Sequence, residues 1–297
     1  MPDVSPGIAR FDPRTSPNLI VHSEAETVLA QLPGETFTLI AIDPPFNTGR
    51  TQRSQPMQVV ADPDGTRVGF GGRTYRTSSR SGAAYGDTFD DYLAFLEPHL
   101  HQARRLLSSR GTLYVHLDSR EAHYVKVALD GIFGRDAFLN EIIWAYDFGG
   151  RSKRRWPAKH DTILVYVKDP SAYHFDAEAV DREPYMAPGL VTPEKAARGK
   201  LPTDVWWHTI VPTNGSERTG YPTQKPEGVV RRMVAASTAP DDWCLDFFAG
   251  SGTLGACAAA LGRRFVLIDQ SSDAIDVMRT RLAGAASIVE PASDEHR

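Results

Sequence analysis

The stretch LDFFAGSGT, residues 245–253, decides the fold. A short apolar run ends at Asp246, a glycine turn follows, and a small-residue helix is predicted from Thr253 onward. Gly250, Gly252 and Gly255 have the spacing G-x-G-x-x-G, in which glycines let the backbone approach a ligand and the next helix offers free N–H groups. The pattern predicts an adenosine-type cofactor at the end of a parallel strand.

Two carboxylates narrow the choice of cofactor. Asp269, at the tip of the next predicted strand, suits the hydroxyls of a ribose. Asp246 would repel a pyrophosphate but can hold a cationic group, such as the α-amine of a methionine moiety. We therefore predict S-adenosylmethionine, although the glycine pattern alone leaves an NAD-linked oxidoreductase open.

A second motif follows the buried strand predicted at Phe37–Ile42. It reads Asp43-Pro44-Pro45-Phe46-Asn47, and its two prolines stiffen the backbone and remove N–H groups. A carboxylate and a carbonyl can accept the two N–H bonds of an amine, while an aromatic ring stacks on the attached base. The motif thus predicts a site that presents an exocyclic amine to an electrophile.

Strands and helices alternate on both sides of a middle region that lacks periodicity. Helices are predicted at about residues 23–32, 93–107, 121–129, 227–237 and 253–261 and from 272, and strands at residues 37–42, 113–117, 163–167, 243–247 and 265–268. This order predicts an α/β fold with a mostly parallel central sheet flanked by helices. Residues 169–220 are proline-rich and irregular and would form a small insertion, and residues 49–88 have no clear apolar period.

The two motifs and their order resemble the β-group of DNA amino-methyltransferases, in which the DPPF motif precedes the cofactor motif. The resemblance spans about residues 18–282 and includes Tyr221–Glu227 (YPTQKPE), which precedes the cofactor loop and completes its pocket in that group. Ser23-Glu24 stands where the family commonly has Gly-Asp, near the cofactor adenine. The resemblance implies a Rossmann-like methyltransferase domain that flips its target base out of duplex DNA.

The resemblance also implies a division of the chain and of its site. By the resemblance, residues 18–168 with 221–285 would be the catalytic domain and 169–220 the target-recognition region. The four prolines of residues 1–17 predict a flexible arm, and residues 286–297 are expected to form a disordered tail. The expected catalytic residues are Asp43, Pro44, Pro45 and Phe46. The expected cofactor-binding residues are Glu24, Asn47, Thr223, Lys225, Asp246, Phe247, Phe248, Ala249, Gly250, Ser251, Gly252, Thr253 and Asp269.

Charge is distributed unevenly along the chain. The formal net charge is −4, yet residues 50–80 carry six arginines against two acids. Residues 151–159 carry five basic side chains and no acid, which predicts a surface for double-stranded DNA. The expected DNA-binding residues there are Arg151, Lys153, Arg154, Arg155 and Lys159.

The sequence therefore predicts an S-adenosylmethionine-dependent DNA methyltransferase acting on adenine N6, with cytosine N4 as the alternative. A DNA-binding module that has lost catalysis is a further alternative, but the intact Asp43, Phe46 and Asp246 argue against it. No metal site is predicted. No apolar run reaches the roughly 18 residues of a membrane span, so a cytoplasmic, nucleoid-associated protein is expected. The recognition sequence, a homodimer and a cognate restriction endonuclease stay open.

Overall fold

The computed structural model describes residues 8, 11–47, 87, 89–149 and 151–290, and the backbone of five short strands between residues 52 and 85. The strands are β1 (Leu19–His22), β2 (Phe37–Ile42), β3 (Gln52–Arg53), β4 (Met57–Ala61), β5 (Arg67–Val68), β6 (Thr74–Ser79), β7 (Ala84–Tyr85), β8 (Leu107–Leu117), β9 (Phe138–Ala145), β10 (His160–Val167), β11 (Val205–Trp207), β12 (Trp243–Asp246), β13 (Arg264–Asp269) and β14 (Ser287–Val289). The helices are α1 (Ala25–Leu29), α2 (Tyr92–Leu106), α3 (Ala122–Phe133), α4 (Pro193–Arg198), α5 (Glu227–Ser237), α6 (Thr253–Ala260) and α7 (Ser272–Arg281).

Nine of the strands form one sheet, in the order β11-β9-β10-β8-β2-β12-β13-β1-β14. Every pair in it is parallel except the two pairs made by β10, which runs antiparallel to β8 and β9. The prediction of a mostly parallel α/β fold is confirmed. Because the parallel strands share one direction, their carboxyl ends meet at one edge of the sheet, which is where open α/β sheets bind ligands.

Helices cover both faces of this sheet, because the strand side chains alternate between two apolar layers. Along β2, Phe37, Ile40 and Ile42 pack in the layer that holds α2 and α3, whereas Leu39 and Ala41 pack in the layer that holds α5, α6 and α7. All six residues of β2 are buried. Among the described residues, no helix has the length and apolarity needed to cross a bilayer.

Several predicted elements have the observed bounds, and others needed tertiary contacts to form. Residues 37–42 and 227–237 are a strand and a helix as predicted. The strand β9 was not predicted, because exposed Asn140 and Glu141 interrupt its apolar pattern. It forms because β10 and β11 pair with it on its two sides.

The prediction of a flexible arm at residues 1–17 is wrong for the part that the structure describes. Ile8 and Phe11 are buried in the core, and the Phe11 ring lies edge-on to Trp243 at 5.0 Å. The indole N–H of Trp243 also donates to the Pro13 carbonyl at 3.0 Å. Apolar packing therefore outweighs the loosening effect of the prolines in this segment.

Two further boundaries differ from the prediction. The expected disordered tail is wrong for Ser287–Val289, which pairs in parallel with β1 and extends the sheet. The expected irregular insertion at residues 169–220 is wrong for Val205–Trp207, which pairs with β9 at the other edge. Elsewhere in that insertion, Glu183 accepts a hydrogen bond from Arg232 of α5 at 2.7 Å. In residues 49–88, the backbone forms two small antiparallel sheets, β3-β7 and β4-β6-β5, while the side chains of the arginine-rich run lie outside the described residues.

Replacing Phe11 should show whether the N-terminal segment belongs to the core. We expect Phe11→Ala to lower the free energy of unfolding by about 3 kcal/mol, because it removes a buried ring that contacts both Phe37 and Trp243. Chemical denaturation monitored by fluorescence measures the change. Tyr124→Ala, which removes a 64% exposed ring from α3, is the control and should change stability by less than about 0.5 kcal/mol. Equal stability of the two variants would contradict the packing.

Candidate active site

A cavity of about 560 Å³ opens at the carboxyl ends of β1, β2, β12 and β13. This volume lies within the range of small-molecule sites. Both sequence motifs contribute to its wall, together with the segment that precedes α5. The predicted site residues that line it are Glu24, Asp43, Pro45, Thr223, Lys225, Asp246, Phe247, Phe248, Ala249, Gly250, Ser251, Thr253 and Asp269.

Strand pairing brings the two motifs together. Leu39 and Ile40 of β2 pair in parallel with Cys244 and Leu245 of β12. Asp43 follows β2 directly and Asp246 ends β12, so the two carboxylates come to neighbouring strand ends although about 200 positions separate them in the sequence.

The Asp43 carboxylate lies between two cationic side chains. His116 Nδ1 is 2.8 Å from Asp43 Oδ1, and Lys225 Nζ is 2.5 Å from Asp43 Oδ2. Burial by itself raises the pKa of Asp43, but the positive charges of Lys225 and His116 outweigh burial and leave this pKa below its ordinary value. Asp43 is therefore a negatively charged acceptor at neutral pH.

His116 links Asp43 to a second carboxylate. Its Nε2 atom is 3.2 Å from Asp161 Oδ2, and the Tyr146 hydroxyl donates to Asp161 Oδ1 at 3.0 Å. None of these three residues was predicted from the sequence. The available signal was a titratable side chain within the otherwise apolar second half of β8, residues 113–117, where His116 is the penultimate residue.

Phe46 lies beside this group rather than in the cavity wall. Its ring is edge-on to the His116 ring at 5.2 Å, and Lys225 Nζ lies 5.1 Å from the ring centroid. The Lys225 ammonium thus contacts Asp43 and Phe46 together, at the catalytic motif, while the Lys225 carbonyl accepts a hydrogen bond from the Thr253 hydroxyl of the cofactor loop at 3.2 Å.

In the cofactor half of the cavity, the carboxylate of Asp246 lacks, among the described residues, the cationic neighbours that Asp43 has. Asp246 is 8% exposed, accepts the Phe248 N–H at 3.0 Å and forms no ion pair with any described cation. Burial raises the pKa of Asp246 well above its ordinary value, and the negative charges of Asp43 and Asp269 contribute to that rise. A carboxylate in this setting is stabilised by a bound cation.

Backbone contacts hold the glycine loop in place. Gly250 and Gly252 have φ angles of 48° and 71°, and a Cβ atom on Gly252 would lie 2.7 Å from Met278 Cγ. Asp269 Oδ2 accepts the Gly250 N–H at 2.8 Å. Arg281 donates to the Ser251 carbonyl at 3.1 Å and to Glu227 at 2.6 Å, so α7 ties the loop to the start of α5.

Besides Phe46, three of the predicted catalytic and cofactor-binding residues lie outside the cavity wall. Gly252 packs against Met278, and Pro44 does not line the cavity. Asn47 is a correction, because its side chain donates to Glu121 at 2.9 Å and accepts the Phe89 N–H at 3.0 Å. Both ends of the Asn47 amide are thus used in contacts with Glu121 and Phe89.

The basic run lies at the same end of the sheet as the cavity, where the parallel strands have their carboxyl ends. Residues 146–159 connect Ala145 with His160, which pair with each other at that end, and Thr162 pairs with Leu117 at the end of β8. The predicted DNA-binding residues Arg151, Lys153, Arg154 and Arg155 are exposed, and Lys159 is half-buried. None of the five forms an ion pair with an acid among the described residues.

A parallel sheet with a glycine turn after β12 and an acidic DPPF motif after β2 defines a Rossmann-like methyltransferase fold. The family model for DNA methylases of the N6 and N4 type matches residues 37–280. The chain belongs to this family and is a DNA methyltransferase.

Individual relatives agree with this assignment. The chain is 29% identical over 271 residues to the DNA adenine methyltransferase YhdJ of Escherichia coli K12, covering 89% of this chain and 82% of that protein. The fold is similar to the M1.HpyAVI complex with SAM (TM-score 0.57, 19% identity, 89% of this chain and 98% of that chain). It is also similar to the cytosine-N4-specific PvuII DNA methyltransferase (TM-score 0.60, 14% identity, 92% and 95%).

Proposed function

We propose that this protein transfers a methyl group from S-adenosylmethionine to the N6 amine of adenine in double-stranded DNA. The observation that carries the proposal is the cavity itself, where an ionised Asp43 and the Phe46 ring share the Lys225 ammonium, and where the Asp246 carboxylate has no ion-pair partner among the described residues. One half of the cavity fits an amine-bearing base, and the other fits a cationic adenosine cofactor. The name of YhdJ, an adenine methyltransferase, supports the choice of adenine.

The residues of the cofactor half fit S-adenosylmethionine, which when bound supplies a methyl group on a positively charged sulfur. Asp246 would hold its α-amine, because this buried carboxylate has no cation among the described residues. Asp269 would accept from the ribose hydroxyls while keeping its hydrogen bond from Gly250. Phe247 and Phe248, with Glu24 across the cavity, would enclose the adenosine.

The residues of the target half would orient the amine. The target base must leave the duplex, because its amine is otherwise paired and stacked. Asp43 and the Pro44 carbonyl would accept the two N–H bonds, which turns the nitrogen lone pair toward the methyl carbon. Methylation of this nitrogen would leave the amine with one extra proton, which Asp43 would accept and pass on to solvent.

Lys225 would leave Asp43 when the base enters. Its ammonium group now contacts both the Asp43 carboxylate and the face of Phe46, which are the two groups that the amine and the base require. The flexible four-carbon stem of lysine lets the ammonium group move away from Asp43 without a backbone change. On entering, the base would therefore replace the contacts of the Lys225 ammonium with a hydrogen bond from its amine to Asp43 and a stacking contact with Phe46.

The DNA would approach the edge of the sheet that carries the cavity. The exposed basic run at residues 151–159 lies there and can follow a phosphate backbone. Residues 208–220 follow β11 and start at the same edge, which supports a role in target recognition for part of residues 169–220. With DNA as the substrate, we propose the cytoplasm as the place of action.

Long-read sequencing of DNA from a host that expresses the protein tests the proposed reaction. We expect N6-methyladenine at one short recurrent sequence, and no such signal in a host that expresses Asp43→Ala. N4-methylcytosine at that sequence would replace adenine with cytosine as the target.

Asp246→Asn should weaken the binding of S-adenosylmethionine severely. The substitution keeps the size of the side chain but removes the charge that would pair with the α-amine, and breaking a buried ion pair on one side costs about 3–5 kcal/mol. Isothermal titration calorimetry measures the affinity. Asp273→Asn, an exposed acid in the first turn of α7, is the matched control and should bind as the wild type does. An Asp246→Asn affinity within threefold of the wild type would rule out this role.

Asp43→Ala should abolish methyl transfer and leave the affinity for S-adenosylmethionine largely intact, because its proposed partner is the target amine. The loss of such an acceptor lowers the rate by roughly 10²–10³. A radiolabelled methyl-transfer assay on genomic DNA gives the rate, and calorimetry gives the affinity. A variant that retains a third of the wild-type turnover would remove Asp43 from the mechanism.

The double change of Arg154 and Arg155 to Ala should weaken DNA binding without changing the methylated sequence, because phosphate contacts position a protein while base contacts specify. The slope of log affinity against log salt should fall by about 0.9 for each lost phosphate contact, up to about 2. Arg135→Ala removes an exposed arginine near the opposite end of β9 and should leave the slope unchanged. An unchanged slope in the double variant, or methylation of a different sequence, would contradict the assignment.

A further inference from the structure

The buried contact between His116 and Asp43 carries a further inference, which rests on the proposed function. Asp43 has one cationic neighbour on each oxygen, His116 at Oδ1 and Lys225 at Oδ2. The protein holds these two neighbours with very different firmness.

His116 is fixed on every side. Its side chain is 7% exposed, and its Nε2 atom lies 3.2 Å from Asp161, which is itself held by the Tyr146 hydroxyl. The ring of Trp144 lies 5.5 Å from the imidazole, and the ring of Phe46 lies 5.2 Å away. These contacts restrain the rotation of the imidazole, and little of its surface is open to water.

Both ring nitrogens of His116 face carboxylate oxygens. A neutral imidazole has one N–H group, so one of the two contacts would set a nitrogen lone pair against a carboxylate. Burial by itself lowers the pKa of His116, but the negative charge of Asp43 and the hydrogen bonds to Asp161 and Asp43 outweigh burial and the positive charge of Lys225. The geometry and the charges therefore agree on a doubly protonated ring.

Lys225 is the exchangeable neighbour. It occupies Asp43 Oδ2 and the face of Phe46, so the target base has to displace it. Once Lys225 has withdrawn, burial again acts to raise the pKa of Asp43, and His116 is the cation that remains against it. The charged and titratable groups that face this pair are Lys225, Asp161, Asp246, Tyr92 and Tyr146.

We propose that His116, protonated and held by Asp161, is a positioning residue for methyl transfer. It fixes the Asp43 carboxylate with Oδ2 toward the target amine and keeps it negatively charged after Lys225 has left. Asp43 accepts from the amine, and His116 acts on the reaction only through Asp43.

His116→Gln tests the proposal because glutamine can donate a hydrogen bond but carries no charge. We expect kcat at neutral pH to fall at least about tenfold, while KM for S-adenosylmethionine stays within twofold. The acid limb of the kcat profile should move up by about one to three pH units, because Asp43 loses the charge that lowers its pKa.

Thr112→Val is the matched control. Thr112 is a buried polar residue of the same strand, its hydroxyl has no hydrogen-bond partner among the described residues, and it lies away from the cavity. Its rate and acid limb should equal those of the wild type. A His116→Gln variant with the wild-type acid limb, or with a loss confined to thermal stability, would overturn the inference.

Nuclear magnetic resonance of histidine-labelled protein provides a test that needs no turnover. The His116 signals, assigned by their absence in His116→Gln, should show protons on both ring nitrogens at pH 7, and Asp161→Asn should lower the pH at which one proton is lost. A neutral His116 ring at pH 7 overturns the inference. A wild-type chain that transfers no methyl group to DNA while its His116 ring is doubly protonated would instead count against the proposed function.

Discussion

The parallel pairing of β2 with β12 is the constraint on which the site depends. It joins two segments that are about 200 positions apart and brings the Asp43 and Asp246 carboxylates to neighbouring strand ends. Two acids at neighbouring strand ends in a buried cavity repel each other, so ionising both without a cationic partner would destabilise the fold. Asp43 is neutralised by cations of the chain itself, whereas Asp246 has no such partner among the described residues.

Because of this difference, the charges on the Asp43 side of the cavity are paired within the protein, whereas the Asp246 charge has no partner among the described residues and would be paired by a ligand. The Asp43 side has a closed set of contacts that runs through His116 to Asp161 and Tyr146. On the Asp246 side, the described residues supply backbone N–H groups and acids but no ion pair to Asp246, and Arg281 and Asp269 hold the backbone of the loop. A cationic cofactor would therefore bind to a site that is already in shape, which reduces the entropy lost on binding.

The sequence predicts the centre of the fold well and its margins poorly. Buried strands such as β2 and the glycine turn after β12 are local signals, because their apolar runs and glycine spacing are present in the chain itself. The edge strands β11 and β14 form only through long-range pairing, and Phe11 is buried only through long-range packing. No local periodicity in the sequence indicates either. His116 and Asp161 were not predicted for the same reason. Each is a polar residue in a strand, and its role depends on the contact with the other between β8 and β10.

The edge strand β14 has a consequence for the order of the two halves. Because Ser287 pairs beside Leu19, the end of the cofactor half lies next to the beginning of the catalytic half. Because β14 and β1 are parallel, a link from the end of β14 to the start of β1 would have to cross over the sheet and would need about a dozen residues or more. With that link and a new opening in the surface segment between β10 and β11, the chain would run through β12 before β2 while every pairing in the sheet stayed the same. The chemistry of the cavity depends on adjacency in space, and this architecture is thus indifferent to which of its two motifs the ribosome makes first.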